Sequence, residues 1–209
     1  MQPAGPLMIE HRLIEKMVSL ISKGINKIKL EKKIDILFID KTVDFMRVYA
    51  DRCHHGKEEN ILFRCLSKKD ISEDHKRIMD ELVQEHIVGR ETVKILVQAR
   101  NNYGNGKEGA LNEIINCFEK LVNFYPWHIA KEDKHFFLEV MEYFSDKEKE
   151  AILNEYWEFD RKLIHEKYQG LIENIQKEYF SDLDSCQSTV TAEQDRIGNK
   201  DEPCDAGIK

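Results

Sequence analysis

Apolar residues recur every three to four positions along most of the chain, a spacing that predicts long amphipathic helices. A first segment, about 7–28, puts His11, Ile14, Val18, Ile21, Ile25 and Ile28 on one stripe. A second, from near Lys33 to about Leu66, aligns Val43, Met46, Ala50, His54, Glu58, Ile61 and Cys65. Ser72, followed by Glu73 and Asp74, predicts the N-cap of a third, with Ile78, Leu82, His86, Val93 and Leu96 in phase. The Asn- and Gly-rich run 101–106 predicts a turn. A fourth segment, 107–144, aligns Ile114, Phe118, Leu121, Tyr125, His128 and Glu132, with Pro126 predicted to kink it. Ser145 and Asp146 cap a fifth, which carries Ile152, Tyr156, Phe159, Leu163 and Leu171. No stretch alternates as a strand does. The prediction is all-α: a four-helix bundle over 1–145, a C-terminal helix packing on it over 146–181, and a disordered acidic tail over 182–209.

The stripes are interrupted in a regular way. Each of the first four helices carries a histidine at a core-facing place, and in two of them a glutamate follows it by four. Burying ionisable groups is costly unless they are paired or hold a metal, so six at once call for a common cause. His54–Glu58 and His128–Glu132 are both His-x-x-x-Glu steps, which put both side chains on one helix face. The separation from His11 to His54 is 43 residues and from His86 to His128 is 42. The chain therefore reads as two copies of one hairpin, and two hairpins related by a pseudo-twofold axis bring four imidazoles and two carboxylates together.

That donor set has no thiolate, which suits iron or manganese in a two-metal centre rather than a closed tetrahedral zinc site. Each glutamate can bridge, two histidines complete each metal, and an oxo or hydroxo bridge is the natural remaining ligand. Two iron ions are the expected cofactor, ahead of manganese or zinc. The other titratable residues receive outer places. His55 and Glu59, turned about 100° from His54 and Glu58 on an α-helix, are expected at the bundle surface or behind the ligands, where a carboxylate can orient an imidazole. Glu15, four after His11, is expected in a solvated or supporting place, and Tyr125 near the core is a further supporting candidate. No catalytic group beyond the metal ligands is assigned.

Composition narrows the partners. Hydrophobic residues make up 41% and charged residues 34% of the 209, and the net charge is −7, which argues against a nucleic-acid footprint. No apolar run is long enough to span a membrane, and Met1 to Leu7 lacks the features of a secretory signal. Five cysteines at irregular spacing read as reduced thiols of a cytoplasmic protein.

Four pieces, Ile9-Glu10-His11-Arg12, Cys53-His54-His55-Gly56-Lys57-Glu58-Glu59, Glu85-His86-Ile87-Val88-Gly89-Arg90 and His128-Ile129-Ala130-Lys131-Glu132-Asp133, resemble the hemerythrin-like, or HHE cation-binding, proteins. The resemblance covers about 7–143. It implies an up-down-up-down four-helix bundle of hemerythrin type and a di-iron centre ligated by His11, His54, Glu58, His86, His128 and Glu132. It further implies dioxygen, peroxide or nitric oxide as the small ligand, with the redox partner left open. The reversible oxygen carriers resemble a pattern with a fifth histidine one turn from the third-helix ligand. Here those positions are Leu82 and Arg90. A second open position then favours peroxidase- or oxidase-like reduction of bound oxidant over pure carriage. The alternative reading is an iron- or oxygen-responsive sensor in which metal occupancy controls bundle stability.

Overall fold

The computed structural model describes the backbone of residues 2–179 and the side chains as far as Leu163. The predicted tail, with Cys186 and Cys204, and the side chains of His165 and Leu171 lie outside the described residues. The chain divides after Arg161 into two compact units, and the second is described as helix from Lys162 to Tyr179. The first unit contains everything that follows.

Five helices form it, with no strand among the described residues. Helix α1 is Ala4–Glu31, ended by Lys32 in the left-handed region at φ 55°. Helix α2 is a continuous helical stretch, 36–66, capped by Asp35, whose carboxylate accepts from the Leu37 amide at 2.9 Å. Helix α3 is Glu73–Gly104, α4 is Ala110–His135 and α5 is Asp146–Tyr179. The Ser72 cap is as the sequence predicts, its hydroxyl accepting from the His75 amide. None of the described helices is long and apolar enough to cross a membrane.

Two boundaries differ from expectation. Helix α3 runs through the Asn-rich segment to Gly104, and the reversal falls at Gly106 and Gly109, both with positive φ. Helix α4 stops at His135 instead of continuing to 144, and Phe136 breaks it at φ −137°. Phe136 and Phe137, consecutive at that break, are both fully buried. Pro126 lies inside α4 without ending it.

Helices α1 and α4 pack lengthwise, as do α3 and α4, and α2 closes the ring against α3 and α1. The stripe read from the sequence of α1 is buried throughout. Two apolar clusters fill the bundle. One contains Ile14, Ile21, Ala50, Leu96, Phe118 and Leu121. The other contains Leu7, Ile61, Leu82, Phe137, Ile152 and Tyr156, so the start of α5 shares its core. Between them, at the level of residues 11, 54–58, 86 and 128–132, lies a layer of buried polar side chains.

The start of α5 is held by a capping box. The Ser145 amide and hydroxyl both bond the Glu148 carboxylate, at 2.9 and 2.8 Å, and Lys69 donates to it at 2.6 Å. Lys69 and the Ser145 groups hold the Glu148 carboxyl down at about 2, against an ordinary 4.5. A carboxyl depressed on folding stabilises fully above its unfolded value and loses that contribution as pH falls from about 4.5 toward 2. Acid titration of stability in Glu148→Gln should therefore be shallower than wild type across that window. Identical slopes would remove the carboxylate from the cap.

Candidate metal centre

The polar layer is drawn from four helices. His11 comes from α1, His54 and Glu58 from α2, His86 from α3, and His128 and Glu132 from α4, and none is more than 2% exposed. The stripe phase explains this, since each takes the place of an apolar residue in its helix. Each carboxylate addresses two imidazoles with its two oxygens. Glu58 lies 3.2 Å from His54 Nε2 through Oε1 and 3.4 Å from His86 Nε2 through Oε2. Glu132 lies 3.1 Å from His11 Nε2 through Oε2 and 3.4 Å from His128 Nε2 through Oε1.

The structure adds a fifth imidazole, and corrects the surface place expected for His55. That residue is 1% exposed and stacks on His86 with ring centroids 3.9 Å apart. The cause is local winding. Helix α2 is π-helical over Phe45–His55 and Glu58–Phe63, and the Gly56 amide donates to the Asp51 carbonyl five residues back. A wider turn separates successive side chains by less rotation than an α-helix does, so His54 and His55 both face inward. The five residues from His54 to Glu58 are all buried. Periodicity at 3.6 could not show this. The doubled histidine was the visible signal.

Two groups of donors that could hold a metal ion result: His11, His54, Glu58 and Glu132 in one, and His55, His86 and His128 in the other, with each group's atoms within 4.8 Å of one another. The hydrogen-bonding account fits this. The inward Nε2 atoms of His11, His54, His86 and His128, both ring nitrogens of His55, and all four oxygens of Glu58 and Glu132 are buried without hydrogen-bond partners. Buried polar groups are almost always satisfied; His55 Nδ1 lies 3.5 Å from Asp51, and the other nine atoms, carried by one buried layer, need a ligand. Two donors at right angles, about 2.1 Å from a shared ion, stand about 3 Å apart, which is the spacing of the imidazole–carboxylate contacts above.

The outward nitrogens are all engaged. His11 Nδ1 meets Asp133 at 2.7 Å, His54 Nδ1 meets Glu10 at 3.0 Å, His86 Nδ1 meets Glu59 at 2.7 Å and His128 Nδ1 meets Glu85 at 2.8 Å. Each of those carboxylates is met in turn by a cation: Arg12 on Asp133, Lys57 on Glu10, Arg90 on Glu59 at 2.6 Å, and Lys131 on Glu85 at 2.5 Å. A carboxylate on Nδ1 fixes which ring nitrogen carries hydrogen and turns the Nε2 lone pair inward. Glu59 thus stands behind His86, as the sequence suggested. Glu10, Glu85 and Asp133 were not assigned from sequence, although each adjoins a core histidine or glutamate in the chain. Glu15 lies at the surface, 3.1 Å from Arg12. Tyr125 is buried, its ring edge-on to His128 at 6.4 Å.

Electrostatics follow the same layering. Burial opposes charge on His54, but Glu58 and Glu10 outweigh it and raise the imidazole to about 10. Burial is likewise outweighed at His86 by Glu132 and Glu59, which raise it to about 9. His55 goes the other way. Burial and the neighbouring imidazoles push it well below its ordinary value, leaving a neutral ring. The Cys53 thiol is pushed up to about 12 by burial and by the charges of Glu10 and Asp160, so it is no ready nucleophile. Glu10, Cys53 and Asp160 form a third acidic group, and the Lys57 ammonium already donates to both of its carboxylates.

Two cavities reach the centre. One of about 210 Å³ is lined by Met46, Arg47, Asp51, His55, Gly89, Arg90, Val93 and Tyr125. A groove of about 630 Å³ reaches His128 between Glu85, Val88, Phe124, Trp127, Ala130 and Lys131.

No curated protein and no solved structure matches the chain. Residues 4–140, which carry all five imidazoles and both inner carboxylates, match the Hemerythrin HHE cation binding domain, and the chain belongs to that family.

Proposed function

We propose that the chain is a non-haem di-iron protein that binds or reduces a small oxidant: dioxygen, peroxide or nitric oxide. The gathering of nine partnerless buried donor atoms, His55 Nδ1 aside, in one polar layer supports this reading most directly. Nitrogen and carboxylate donors without thiolate suit iron, and seven donor side chains exceed what one tetrahedral zinc takes. His11 and His54 would hold one ion, His55, His86 and His128 the other, with Glu58 and Glu132 shared. A pair of irons supplies electrons and open coordination to an oxidant.

The chain's own residues prepare that chemistry. The four outer carboxylates are each met by a cation, whereas Glu58 and Glu132 are met by imidazoles alone. Two divalent ions would leave the centre positive, which favours a small anionic ligand. Phe137 stacks on His11 at 5.6 Å and Phe63 on His86 at 6.3 Å, so apolar rings exclude water from that side. With His55 as a fifth imidazole, the ground for a second open position falls, and binding and reduction stand equally within the proposal.

Chain purified without oxygen should contain about two irons and gain a near-ultraviolet absorption band on exposure to air. No metal uptake, even on reconstitution, would overturn the assignment. His55→Leu should lower iron toward one per chain, whereas His135→Gln, at an exposed position, should leave it at two. Two irons in both variants would return His55 to a packing role. Glu85→Gln, which removes the carboxylate charge behind His128, should weaken iron binding about 10- to 100-fold in a chelator competition.

A further inference from the structure

The matched family domain ends at residue 140, and α5 begins at Asp146. Yet α5 touches the part of α2 that carries the centre. Lys57 is 1% exposed, and its ammonium donates to Glu10 and, at 2.9 Å, to Asp160 of α5. Cys53 donates to the same Asp160 carboxylate at 3.3 Å. Lys57 also lies 6.0 Å from the centre of the Tyr156 ring. Between His55 and Lys57, a Cβ on Gly56 would stand 2.7 Å from Phe159 Cζ, so the missing side chain is what lets α5 lie against this turn. The burial of all five residues 54–58 has two causes: π-winding turns His54 and His55 inward, and α5 covers the outer side.

A continuous chain of contacts results. Asp160 holds Lys57, Lys57 holds Glu10, Glu10 holds His54 Nδ1, and His54 Nε2 faces the centre. The equivalent lysine of the other half, Lys131, takes its second carboxylate from Glu81 of α3, inside the family domain. Among the described residues, only the α2 half is completed by a helix outside it.

We infer that Asp160 is a positioning residue for the metal centre, acting through Lys57 and Glu10 on His54, and that docking of the first part of α5 is linked to metal occupancy. Coupling of this kind is reciprocal: if α5 docking improves metal affinity, metal binding tightens α5 docking by the same factor. The inference rests on the proposed metal reading and adds the direction in which occupancy is communicated.

The test compares Asp160→Asn with Ile152→Val. The second variant loosens the apolar contact of α5 without touching the chain of contacts. Ferrous iron affinity is read by chelator competition, and amide hydrogen exchange of residues 150–160 is read with and without iron. Asp160→Asn should lose about tenfold in affinity, the lower end of what partners of ligating histidines contribute. Iron should slow exchange in α5 of the wild type and much less in that variant, while Ile152→Val, which loosens docking but leaves the chain of contacts whole, should lose less affinity than Asp160→Asn. Asp160→Glu, which retains the charge, should recover part of the loss, and it carries the comparison if Asp160→Asn yields no folded chain. Equal affinity in wild type and Asp160→Asn, or an equal loss in Asp160→Asn and Ile152→Val, would overturn the positioning role while leaving a loaded centre intact. A wild-type chain that takes up no iron would overturn the metal reading and the inference together.

Discussion

The structure is organised around the cost of keeping five imidazoles and two carboxylates dry in the middle of a helix bundle. Charged groups in a low-dielectric interior are tolerated only when other groups answer them. Here the answer is built outward in layers. Each of His11, His54, His86 and His128 is backed by a carboxylate, and each carboxylate by an arginine or lysine. The outer two layers cancel in charge and leave the inner layer's unsatisfied atoms facing one another. The apolar clusters above and below fix the helices whose register makes this possible.

Much of this was legible in the sequence because it depends on helical phase. His11, His86 and the two His-x-x-x-Glu steps replace apolar residues at stripe positions, and the structure brings those six side chains together. The acids behind them were harder to read, because the partnership crosses between helices. Glu10 precedes His11 but serves His54, and Glu85 precedes His86 but serves His128. His55 was only half legible, through the doubled histidine, for a different reason. Its inward position depends on π-winding of α2, and no 3.6-residue pattern encodes a change in the pitch of the helix itself. The break after His135 was hidden likewise, since neither Gly nor Pro marks it and the apolar run 136–138 reads as more helix.

The internal repeat is close but imperfect. His54, Lys57 and Glu58 correspond to His128, Lys131 and Glu132, whereas His55 corresponds to Ile129 and Gly56 to Ala130. The first difference gives one half three imidazoles and the other two. The second lets Phe159 close over one half only. Ala130 instead lines the groove beside Trp127, which is 81% exposed.

That lopsided cover leaves one group of donors open to a cavity and the other closed. Both cavities described above arrive at the three-imidazole group, through His55 and His128, and their walls carry Asp51, Arg90, Glu85 and Lys131. Each approach thus sets a carboxylate and a cation beside its apolar walls. The two-imidazole group lies between the Phe137 ring and the Lys57 layer sealed by α5. Under the proposed reading, a small ligand would enter at the three-imidazole group, and the closed side would answer to how firmly α5 is docked.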